Sequence, residues 1–178
     1  MIPPPNATWH LPPRGVLLAA VVLLVAAEVG GASMGRYKLE LARWARTGML
    51  EHPAVHGLVG VRDVDERVLD EALFRFDAGL RLFHMHAEGM ALVVIATTTV
   101  AATLARAPAA RRGLILLLTV GGVGYPLGYL IWSVLIPAYG VERSKAIAEW
   151  LVWIPFGGAT IVALLWLAAL TATRMVRR

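Results

Sequence analysis

The sequence contains no cysteine, which excludes disulfide scaffolds, thiolate zinc sites, iron–sulfur clusters, c-type haem attachment and cysteine nucleophiles. Charge is also scarce. Only 16% of its 178 residues are Asp, Glu, Lys or Arg, against 58% hydrophobic residues, and the mean hydropathy is +0.65. That is too much apolar surface for one soluble globule of this length, so the bilayer is the solvent that fits the composition. A nucleotide-binding glycine loop, a nucleophile elbow, a zincin helix and nucleic-acid motifs are all missing. No inverted repeat or duplicated hydropathy unit points to a secondary transporter. The net charge of +5 implies membrane topology and no nucleic-acid partner, because the bases cluster in connections and at the C-terminus.

What the chain does have is four apolar runs, at about 15–34, 82–105, 113–137 and 150–173, each near the roughly 20 residues that cross a bilayer core. Each must be helical, since strands or loops would leave backbone groups unpaired in lipid. The expected fold is an all-α integral membrane protein forming a single membrane domain. It is a four-transmembrane-helix bundle with an outer amphipathic-helical connection, 35–81, between the first two spans. Arg106, Arg111 and Arg112 between spans two and three, and Arg174, Arg177 and Arg178 at the end, set both termini inside and 35–81 outside.

A signal peptide is the competing reading of the first run, which ends in Gly30, Gly31, Ala32 and Ser33. Its length, Glu28 within it, and a nearly uncharged leader holding Pro3, Pro4, Pro5, Pro12 and Pro13 argue for a span. Those prolines imply an extended arm, and Asn6-Ala7-Thr8 is a chance glycosylation match on a cytoplasmic tail.

In the outer segment, Arg36 to Leu50 reads as an amphipathic helix with Leu39, Ala42, Arg43 and Arg46 on one face. Val64, Val68, Leu69, Ala72, Leu73 and Phe76 form the face of a second helix that runs towards span two, with Gly79 as a joint. The acidic residues of this second stretch lack calcium-loop spacing and read as a solvated face. Gly31 and Gly35, and Gly124 and Gly128, have small-xxx-small spacing suited to close helix packing. Pro126, Pro137 and Pro155 kink or end their helices, and Trp132, Trp150 and Trp153 suit an interfacial belt.

Chemistry concentrates where span two begins, in Phe83-His84-Met85-His86-Ala87-Glu88. At about 100° per residue His84 and Glu88 share one stripe, whereas His86 lies well away from it. Glu88 and Glu28 each fall roughly 9 Å inside the outer boundary, at 1.5 Å per residue. Tyr129 approaches that level from the third span, with Tyr125 one turn deeper. Buried ionisable groups are functional-site hypotheses by default, so Glu28, Glu88, Tyr125 and Tyr129 are read as one polar, proton-handling site in which the paired acids have raised pKa values.

His52 and His56, one turn apart in the outer loop, act either as capping residues or as further ligands. Three functions compete on these residues. The first is a redox protein holding haem b near its outer face, with His84 as ligand, His52 or His56 completing the site, His86 as a further candidate, and a quinone or an external carrier as electron partner. Spans three and four contain no histidine, which opposes the arrangement where facing helices supply each haem. The second is a copper or zinc site built from His52, His56, His84, His86 and Glu88, with Met85 and Met90 favouring copper. The third is a non-catalytic accessory subunit whose glycine faces bind partner helices or a second copy of the chain.

Overall fold

The computed structural model describes residues 9–176, and every regular element in that range is helical. They are α1 (Arg14–Arg36), α2 (Lys38–Glu51), α3 (Pro53–His56), α4 (Arg62–Leu104), α5 (Pro108–Gly124), α6 (Leu127–Tyr139), α7 (Val141–Ala148), a π-helical segment (Glu149–Gly157) and α8 (Gly158–Val176). Four stretches are long and apolar enough to cross a membrane: Arg14–Arg36, Arg62–Leu104, Pro108–Tyr139 and Val141–Arg174. Pro3, Pro4, Pro5, Asn6-Ala7-Thr8, Arg177 and Arg178, read above from the sequence, lie outside the described residues.

Helix α4 organises the chain. Its 43 residues extend about 64 Å at 1.5 Å per residue, twice the thickness of a bilayer core. The first half carries six acids between Asp63 and Asp77, whereas the second half is mostly apolar and holds Glu88 as its single acid, beside His84 and His86. Helix α1 packs along one side of α4, and α5 and α6 along others, while α8 returns beside α5. The four long stretches therefore alternate up and down.

Three apolar layers stack along this axis. At one end, Val16, Ala101, Leu114, Leu118 and Leu167 interlock. The middle layer joins Leu23 and Ala27 of α1 to Phe83, Ala87 and Ala91 of α4. At the other end, Ala45 and Met49 of α2 meet Leu69, Ala72 and Phe76 of α4 and Ile136 of α6, so α2 packs on α4 and α6 and shares this core.

Several local expectations change. The face that α2 buries is Leu41, Ala45 and Met49; Leu39 is 66% exposed, and Arg46 reaches across to Glu66. The i, i+4 repeat at 41, 45 and 49 is longer than the one through Leu39 and contains no charge, so it buries at lower desolvation cost. Gly79 is no joint: α4 runs through it unbroken, and a Cβ there would collide with the Ser133 hydroxyl on α6. The glycine serves close approach, and Ser133 Oγ, fully buried, donates to the Phe76 carbonyl at 3.0 Å across the same seam.

Prolines punctuate the second half. Pro126 ends α5, and i→i+3 bonds from Gly128 to Tyr125 O and from Tyr129 to Pro126 O carry the chain into α6. Pro155, which has no N–H to donate, falls in the π-helical segment, where the wider turn accommodates it.

Candidate functional site

Each of the four candidate ligand histidines donates a ring N–H to a backbone carbonyl. A carbonyl oxygen only accepts, so the bonded ring nitrogen carries the proton and the other is left with a lone pair in the neutral ring. His52 Nδ1 donates to Gly48 O at 2.8 Å and His56 Nε2 to Pro137 O at 3.0 Å. Gly48 and Pro137 lie in the last turns of α2 and α6, where helix carbonyls lack intrahelical partners, so both side chains act as C-terminal caps.

His84 and His86 face different neighbours. His84 Nδ1 donates to Ala27 O of α1 at 2.9 Å, and its ring lies flat on the Gly31 backbone: a Cβ at residue 31 would sit 2.7 Å from Cε1, 2.9 Å from Nδ1 and 3.0 Å from Nε2. Glycine at 31 is what allows an imidazole between α1 and α4. The remaining His84 nitrogen is 3.9 Å from Glu88 Oε2, too long for a direct hydrogen bond.

His86 turns towards α6. Its Nδ1 donates to Leu82 O at 2.8 Å, and its ring centroid lies 4.5 Å from that of Tyr129 and 5.8 Å from that of Tyr125. The two tyrosine hydroxyls are 3.1 Å apart. Trp153 of the π-helical segment continues the aromatic cluster, 4.9 Å from Tyr129 and 6.2 Å from Trp132. Trp153 packs on Gly128, and Phe156 on Gly124; the small-xxx-small pair receives aromatic rings from the neighbouring segment. The indole Nε1 of Trp153 is buried with no hydrogen-bond partner among the described residues.

The acids differ in setting. Glu28 is exposed on α1, next to the fully buried Ala27, while Glu88 is half-buried below His84. Tyr125 and Tyr129 belong with His86, whereas Glu88 belongs with His84, so the expected four-residue polar site divides between two faces of α4.

Metal and haem fit this arrangement poorly. Among the described residues no three His, Cys, Asp or Glu side chains form a group able to hold a metal ion. His56 is tied to Pro137, eight residues and about 12 Å of helix beyond Tyr129, the neighbour of His86. It also lines a cavity with Val68 and Ala72, and Ala72 precedes His84 by twelve residues, about 18 Å along α4. His56 is thus not brought to His84. The seat of His84 on Gly31 leaves no gap for a porphyrin between α1 and α4.

Sequence reasoning missed Ser133 and the seat at Gly31. A lone serine in the apolar run Leu127–Ile136 is a signal for an interhelical hydrogen bond; Gly31 offered only its small-xxx-small spacing. Compared with known proteins, the chain matches no family model, no curated protein and no solved structure.

Proposed function

We propose that the chain is a multi-pass membrane protein whose four long helices form a transmembrane bundle, capped on the outer side by α2, α3 and the first half of α4, and that it serves as a non-catalytic accessory subunit of a larger membrane complex. In this reading the basic end of the bundle faces the cytoplasm. The observation that carries the proposal is the use of all four candidate ligand histidines as donors to backbone carbonyls, two closing helix ends and one, His84, fastening α4 to α1. The bonds of His84 to Ala27 O and of His56 to Pro137 O join different helices and hold a scaffold in register, whereas those of His52 and His86 reach four residues back along their own helices.

One observation favours a second reading. His84 and His86 each direct Nδ1–H to a carbonyl and keep Nε2 as the acceptor, the orientation in which metal-binding histidines are held. Haem b, copper or zinc would then take its remaining ligands from a second copy or a partner, with a quinone or an external carrier exchanging electrons.

Absorption spectroscopy and metal analysis of the chain, purified from cells supplied with haem, copper and zinc, decide between them. The scaffold reading requires a colourless, metal-free protein. A Soret band or stoichiometric metal that disappears in His84→Ala or His86→Ala would overturn it.

A further inference from the structure

The acids of this chain are confined to part of its length, and the bases are not. Its twelve acidic residues all lie within 28–88 or 142–149, whereas segments 1–22, 95–119 and 160–178 contain none. Among the described residues Arg14, Arg106, Arg111, Arg112 and Arg174 stand at that acid-free end, where α1 begins, α4 ends, α5 begins and α8 ends. Among the described residues these segments offer no carboxylate side chain to neutralise them.

A cavity of about 650 Å³ opens at the same end between α1, α4 and α5. Arg111 and Arg112, both exposed in the first turn or so of α5, stand at its rim, and Val16, Ile115 and Leu116 supply an apolar wall. From Arg112 to Thr119 this lining descends seven residues, about 10 Å along the helix. The arm before α1 closes one side: the His10 backbone N–H donates to Thr103 Oγ1 at 3.1 Å, and Thr103 donates in turn to Thr99 O.

We propose that this cavity is a binding site for an acidic phospholipid, whose phosphate lies against Arg111 and Arg112 and whose acyl chain runs along Val16, Ile115 and Leu116. Guanidinium groups suit phosphate oxygens through planar, multidentate hydrogen bonds, and basic pockets between spanning helices are where such headgroups are held. The apolar wall selects the lipid over a free anion, which would leave about 10 Å of hydrophobic lining uncovered.

The test is native mass spectrometry of the full chain released from detergent micelles with dioleoyl phosphatidylglycerol or dioleoyl phosphatidylcholine added. At about fivefold per arginine near a headgroup, phosphatidylglycerol should be retained at least tenfold better, and Arg111→Gln with Arg112→Gln should erase that preference. Gly15 lines the cavity, and a Cβ there meets nothing within 4 Å, so Gly15→Trp should fill the space and expel the lipid without changing charge. Arg62→Gln with Arg67→Gln, at the opposite end, should leave retention unchanged. Circular dichroism checks that each variant is folded; should Gly15→Trp fail this check, the arginine pair still decides. Equal retention of the two lipids, an equal loss in the Arg62 and Arg67 variant, or displacement of the lipid by millimolar inorganic phosphate would each overturn the proposal.

Discussion

Replacing Gly31 by alanine tests the α1–α4 seam at its closest point. The added methyl would lie 2.7–3.0 Å from three atoms of the His84 ring, inside normal van der Waals contact, so the imidazole must move away and loosen its 2.9 Å bond to Ala27 O. Over-packing of this kind costs about 1–3 kcal/mol, and a hydrogen bond contributes about 1 kcal/mol net. The better helix propensity of alanine offsets about 1 kcal/mol, which leaves a net loss of about 1–3 kcal/mol. His84→Ala removes the obstacle together with the hydrogen bond, so Gly31→Ala in that background should be neutral or slightly stabilising. The resulting coupling, about 2 kcal/mol, is within the range for residues in contact. Denaturant unfolding in mixed micelles, followed by tryptophan fluorescence, measures all four corners of the cycle. Additive effects, with coupling below about 0.5 kcal/mol, would refute the packing described for His84.

Other perturbations read other parts of the fold. Gly128→Ala places a methyl into the Trp153 indole, so it should destabilise by up to about 3 kcal/mol and shift tryptophan emission, as over-packed cores do. Glu66→Gln breaks the pair in which Arg46 Nη2 lies 2.8 and 2.6 Å from the two Glu66 oxygens; with side chains 34% and 47% exposed, the loss should stay below about 1 kcal/mol and vanish in high salt. Because the chain has no cysteine, Ala54→Cys and Ala109→Cys, both at exposed positions, should be labelled by an impermeant reagent from opposite sides of the membrane. Labelling of both from the same side would contradict the four-span topology.

The spans were legible because a 20-residue apolar run is nearly sufficient to specify a helix that can cross lipid. The outer segment was legible in part: the face through Leu69, Ala72 and Phe76 is buried as its spacing indicated, but Val64 is 43% exposed. The contacts at the start of α4 are polar, Val59 and Gly60 N–H on Asp65 and Arg46 on Glu66, and periodicity alone does not say where an apolar neighbour ends. Gly79 was misread for a related reason. A glycine in a helical run signals either a break or a close approach, and only the presence of Ser133 and Trp132 opposite decides which. The site was the least legible. Helical spacing separates His84 from His86, but the partners that define them, Ala27 O and Gly31 on one side and Tyr129 on the other, belong to helices whose rotation about their axes the sequence does not encode locally. Depth counting put Glu28 level with Glu88, yet depth without azimuth left Glu28 free to be exposed.

The central claim is that all four histidines are held on backbone carbonyls, with His56 and His84 fastening separate helices, and histidine-selective ¹⁵N NMR of the full chain in micelles tests it most directly. At a pH where the rings are neutral, the account predicts that His52, His84 and His86 carry their proton on Nδ1 and His56 on Nε2, each held by its carbonyl. Equimolar zinc should leave these signals in place, because among the described residues no three ligands converge. Rapid tautomer exchange at His56 and His84, or zinc shifting His84 and His86 together at stoichiometric ratio, would contradict it.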